Sequence, residues 1–166
     1  MDSSPGYVTP YDWLRSETAA KGRFLCLLRL IFRWIPITRK IILTNIMFIA
    51  AGGATGALLR YWVSNSVYAL FGKAFPYGTL SVNITGSLLM GLCYVLLLER
   101  LDAGVQWRAF VMVGLLGAFT TFSTFSIETL NLIESGEQIR AIVNILLSVT
   151  LCIIGCWAGM IIGREI

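Results

Sequence analysis

The chain contains no histidine. That absence removes both the commonest general base and the commonest metal ligand. Charge is scarce too: 13% of the 166 residues are charged, where soluble domains carry about a quarter. The cysteines, Cys26, Cys93, Cys152 and Cys156, form no C-x-x-C pair and lie inside apolar stretches. They read as small buried hydrophobes, with no sign of a zinc site or a disulfide framework. With no nucleophile–base pair in view, an enzyme reading has nothing to stand on.

What is abundant is apolar surface. Hydrophobic residues make up 57% of the chain and the mean hydropathy is +0.77, which points to lipid as the solvent. Four stretches reach the ~20 residues that cross a bilayer. The first runs from about Ile41 to Leu59 and continues amphipathically to Phe71. The others are Thr79–Leu98, about Phe110–Leu132, and Ile142–Ile162. Short connections separate them: "GKAFPYG", "ERLDAGVQWR" and "ESGEQIR". The expectation is an all-α membrane protein with four transmembrane helices in residues 41–166.

Residues 1–40 are written differently. "KGRFLCLLRLIFRWIP" mixes Lys21, Arg23, Arg29 and Arg33 with bulky apolar residues, which suits a helix lying in the membrane interface and stopped near Pro36. The net charge of +4 is concentrated there, and it fits an anionic lipid surface better than nucleic acid. The rest of the chain is nearly balanced. Setting Arg60 aside, Arg100, Arg108 and Arg164 fall on one side of the membrane, and Lys73 and Arg140 on the other. That leaves almost no positive-inside bias. The basic extension would break the tie.

Polar residues inside the spans mark either packing glue or a solute path. Thr79, Asn83 and Ser87 recur every fourth residue, as do Asn144, Ser148 and Cys152, so each set shares a helix face. Gly155, Gly159 and Gly163 follow the small-residue pattern of close helix contacts. The densest stretch is "GLLGAFTTFSTFSIET", residues 114–129. It interleaves hydroxyls with Phe119, Phe122 and Phe125. Hydroxyl and amide donors suit an anion, and a phenyl ring has a positive edge that meets an anion without a full charge. Neutral, weak sites let an ion leave as readily as it binds. Equally, the hydroxyls can bond back to carbonyls one turn earlier while the rings fill the core. A small four-span proton-coupled exporter of cationic compounds is the other transport class. It needs a mid-membrane carboxylate; the first, second and fourth stretches offer none, and Glu128 falls toward one end of the third.

Three segments, "GGATGALLRYW" (52–62), "GTLSVNITGSLLMG" (78–91) and "GLLGAFTTFSTFSIET" (114–129), resemble the signatures of the Fluc/CrcB fluoride channels in order and spacing. The resemblance covers residues 41–166; residues 1–40 are additional to the family pattern. It implies passive export of fluoride across the cell membrane by an antiparallel, dual-topology homodimer with a broken third helix. By motif, Asn83 and Thr79 would line the ion pathway and Phe122 and Phe125 would supply ring edges. Ser123 and Ser148 would extend the polar track, and Arg60 would stand toward the vestibule. Gly117 and Thr120 would offer backbone carbonyls to a structural Na⁺ at the dimer axis. Where the family's fourth span often carries a hydroxyl, this chain has Asn144 and Cys152.

Overall fold

The computed structural model describes residues 42–166; the basic segment 1–40 and its expected interfacial helix lie outside the described residues. The chain divides into the units Met1–Leu43 and Thr44–Ile166, and the second holds the spans from Thr44 onward. Four stretches are long and apolar enough to cross a membrane: Ile42–Phe71, Tyr77–Arg100, Val105–Glu134 and Gln138–Glu165. No strand occurs among the described residues. The architecture is all-α.

Helix α1 is Ile42–Phe71. Helix α2 is Tyr77–Tyr94 and continues as π-helix through Val95–Arg100. The third span opens with α3, residues 105–119, whose middle, Ala109–Leu116, is π-helical. Helix α4 is Phe122–Glu134 and α5 is Gln138–Glu165. The spans hold 24 to 30 residues each, or about 36–45 Å at 1.5 Å per residue. Each outruns the hydrocarbon core, and the second, third and fourth begin and end beyond the apolar stretches read from sequence. Glu99, Glu134 and Glu165 lie in those overhanging ends.

The connections use local chemistry. Gly136 adopts a φ of +78° after α4, and the amides of Gly136 and Glu137 turn back to the carbonyls of Ile133 and Leu132. This double closure needs the left-handed conformation that glycine accepts without strain. Gly72 has the same φ of +78° after α1, where its amide bonds to the Tyr68 carbonyl.

Lipid gives no hydrophobic drive between helices, so they associate by close backbone contact. Among α2 to α5 the most extensive pairing is α2 with α5. A Cβ on Gly159 would overlap the Leu88 carbonyl, and one on Gly91 would overlap the Cys156 carbonyl. Along the other seam, Gly52 and Gly56 of α1 stand against the backbone of Phe110 and Leu115 in α3. The small-residue pattern read from the sequence is therefore a set of backbone-to-backbone contacts. Large apolar side chains such as Leu70, Ile139 and Trp157 remain exposed on the single chain, as lipid-facing or partner-facing surface must.

Candidate ion pathway

Helix geometry puts Thr79, Asn83 and Gly86 on one face of α2. Thr79 is buried and Asn83 half-buried. Asn83 Oδ1 accepts from the Thr121 amide at 2.7 Å, and its Nδ2 donates to the Thr121 carbonyl at 3.0 Å. The side chain thus pairs with a stretch of backbone as a neighbouring strand would. Thr120 and Thr121 are extended, with ψ of 158° and 116°, and they separate α3 from α4. Gly86 leaves the room: a Cβ there would overlap the Thr120 methyl group and press on the Phe119 ring.

The diverted bonds have a consequence for carbonyls. In an uninterrupted helix the Thr121 amide would close onto the Gly117 carbonyl, and the Thr124 amide onto the Thr120 carbonyl. Here the first goes to Asn83 Oδ1. The second goes to Thr121 Oγ1 at 3.2 Å, the side-chain cap of α4. Gly117 and Thr120 both lose their helical donors.

A cavity of about 310 Å³ opens beside this junction. Asn83 and Ser87 line it from α2, Thr120 and Thr121 from the junction, and Phe122 and Phe125 from α4. From α5 come Ser148, Val149, Cys152 and Ile153. No charged side chain is among them. The two phenyl rings stand 5.3 Å apart, tilted by 47°. Phe125 is 8% exposed while Phe122 is 77% exposed on the single chain. Because α4 begins at this cavity, its amide dipoles point their positive end inward, which favours negative charge.

Behind Phe125 runs a buried polar chain. Ser148 Oγ donates to Asn144 Oδ1 at 3.4 Å, Asn144 Nδ2 donates to Thr129 Oγ1 at 2.8 Å, and Thr129 donates to the Phe125 carbonyl at 2.7 Å. A second cavity, of about 610 Å³, is lined by Tyr68, Lys73, Glu128, Asn131 and Arg140 among others. Tyr68 donates to Glu128 Oε1 at 2.7 Å, and its oxygen lies 3.4 Å from Thr79 Oγ1.

Of the residues singled out by sequence, Asn83, Thr120, Phe122, Phe125 and Ser148 meet at the smaller cavity. Thr79 sits one turn before Asn83 and contacts Tyr68 instead. Ser123 is exposed, does not line the cavity, and lies 3.3 Å from Thr121 Oγ1. Arg60 is half-buried on α1 and has no ion pair with another described residue. Gly117 and Thr120 flank the end of α3. Sequence reasoning missed Tyr68, since a tyrosine near a span end looks like an interfacial anchor. It also passed over Thr121 as a backbone partner, a role that no side-chain pattern announces.

Residues 47–160 match the family model described as CrcB-like protein, Camphor Resistance (CrcB). The chain belongs to the CrcB-like family. A protein of Coxiella burnetii (strain Dugway 5J108-111), named a fluoride-specific ion channel FluC, is 54% identical over 123 residues. That match spans 74% of this chain and 99% of the relative. Proteins of the same name from Magnetococcus marinus and Geobacter sulfurreducens are 53% and 46% identical, over 122 and 124 residues. They are covered to 99% and 100% of their lengths, against 74% and 75% of this chain. With four spanning helices and this membership, the chain is a multi-pass membrane protein.

Proposed function

We propose that this CrcB-like chain is a fluoride-selective channel of the cell membrane, which lets fluoride run passively out of the cytoplasm. The observation that carries the reading is the smaller cavity, where amide, hydroxyls, phenyl rings and a helix N-terminus converge without a charged side chain. The names of the relatives, at 46–54% identity, point the same way. A fluoride ion leaving water needs donors in exchange for its hydration shell. Asn83 spends one of its two N–H groups on Thr121 and keeps the other. Ser87 and Ser148 add hydroxyls, and the rings add positive edges. No lysine or arginine lines this cavity to hold the ion back. Ser123, exposed beside the α4 cap, would join the track only against a partner's surface. Arg60 would draw anions toward the mouth.

The working unit of this reading is an antiparallel homodimer whose third span acts as a broken helix. Phe122, largely exposed on one chain, supports a partner that covers it, and the near-even charge of the spans supports insertion in both orientations. The Gly117 and Thr120 carbonyls, deprived of helical donors, suit a hard cation such as Na⁺, which takes oxygen ligands. Two such pairs, one from each chain, would hold a structural Na⁺ at the dimer axis. Among the described residues no cluster of His, Cys, Asp or Glu competes for that role.

Reconstituted protein is expected to release fluoride from liposomes with no proton or Na⁺ gradient, and to pass chloride far more slowly. Flux that collapses when the pH gradient is removed would instead favour the proton-coupled exporter. For assembly, reporters fused to the C-terminus of residues 41–166 are expected to signal on both sides of the membrane. Restoring residues 1–40 should shift the balance toward the tail inside. One orientation for the trimmed core would count against an antiparallel pair.

A further inference from the structure

Glu128 stands on α4 one turn beyond Phe125, and its two oxygens are held differently. Its Oε1 accepts from the Tyr68 hydroxyl at 2.7 Å, while its Oε2 is buried with no hydrogen-bond partner. A phenol has a single proton. With that proton committed to Glu128, Thr79 Oγ1, 3.4 Å away, donates to the Tyr68 oxygen. The order of donation is Thr79 to Tyr68 to Glu128, across three different helices.

Two members of this trio, Tyr68 and Glu128, line the larger cavity, and Thr79 stands one turn from Asn83 at the smaller one. Along α4, Phe122 and Phe125 line the smaller cavity, and Glu128 and Leu132 line the larger one. These positions share a helix face. Along α2, Asn83 lines the smaller cavity, and Thr79, one turn earlier, touches Tyr68, which lines the larger one. The Tyr68 ring is itself fixed, because it packs where a Cβ on Gly78 would stand. An anion following α4 from the smaller cavity toward the larger would meet the Glu128 carboxylate, held by a single neutral donor.

We propose that Tyr68 is a positioning residue for fluoride passage: its hydroxyl pins Glu128 so that the carboxylate does not swing into the ion's route. The proposal rests on the channel reading above. Without the phenol, both carboxylate oxygens lack a donor, and the side chain turns toward the polar space of the larger cavity. A full negative charge there outweighs the Thr79 hydroxyl that is freed at the same time.

The test is a cycle of four proteins measured by fluoride efflux from liposomes: the parent, Tyr68→Phe, Glu128→Gln, and the double variant. Tyr68→Phe keeps the ring and its packing, and is expected to slow efflux about tenfold or more. In the Glu128→Gln background the same change is expected to alter efflux by less than about twofold, since no charge is left to restrain. A merely structural tyrosine would slow both backgrounds equally, and that outcome overturns the proposal. A conducting parent matched by Tyr68→Phe overturns the latch alone, whereas a parent that releases no fluoride overturns the channel reading with it.

Discussion

Asn83 on α2 and Asn144 on α5 carry the same amide, and each reaches toward the third span. Asn83 applies both of its polar ends to one peptide group, the amide and carbonyl of Thr121. Asn144 applies its two ends to two hydroxyls, accepting from Ser148 and donating to Thr129. The first arrangement replaces backbone pairing that a helix has lost. The second links side chains on helices that are otherwise complete. Asn144 is 1% exposed and Asn83 half-buried beside a cavity. One asparagine therefore shapes the cavity and remains reachable from it, while the other joins helices through buried hydroxyls. Polar residues at equal helical spacing are not equivalent until their partners are known.

The largest expected difference between the two sites comes from charge. Asn83→Asp is expected to stop fluoride conduction, because a fixed negative charge repels the ion and the Thr121 carbonyl loses its donor. Asn83→Ser keeps a hydroxyl donor and is expected to retain some flux. Conduction by Asn83→Asp at the parent rate, read as liposome efflux, would remove Asn83 from the pathway.

Phenylalanines stand between the two asparagine sites and give the next effect in size. Phe122→Ile and Phe125→Ile keep apolar bulk but lose the positive ring edge. If the rings were only core, such swaps would cost about 1–2 kcal/mol of stability and little activity. As pathway residues, at least one should slow efflux by roughly tenfold, which corresponds to about 1.4 kcal/mol at a barrier. Variants that elute as the parent does and conduct equally well would assign the rings to packing.

The smallest effect on conduction is expected from Asn144→Leu. It leaves Ser148 without its acceptor and Thr129 without a donor, for about 1–3 kcal/mol of stability. Its effect on efflux should fall well short of that of Asn83→Asp. Thermal unfolding in detergent alongside efflux would check this, and a variant as stable as the parent yet unable to conduct would place Asn144 on the route.

The four spans were legible because hydropathy alone marks a helix that must face lipid. The ends of the second, third and fourth were less so, since those helices run two to five residues past the apolar stretches. Helical spacing found the faces holding Thr79, Asn83 and Ser148, and glycine spacing marked α5 for close helix contact without naming α2 as its partner. What the spacing left open was the choice between glue and pathway at "TTFSTF". The Asn83–Thr121 contact joins residues 38 apart, and Tyr68–Glu128 joins residues 60 apart. Neither leaves a local periodic trace. Ser123 looked equivalent to its neighbours by composition, yet it lies off the cavity beside the α4 cap.

The Asn83 clamp also bears on how the chain is made. Extended backbone at Thr120 and Thr121 would expose unpaired N–H and C=O groups to lipid, at several kcal/mol each. A third span entering the bilayer alone has no remedy except to close its helix. The opening at Thr120–Thr121 therefore belongs to assembly rather than insertion, and it waits on contact with α2. Because α2 precedes the third span in the chain, the ribosome delivers the partner first. Order of synthesis matches order of need.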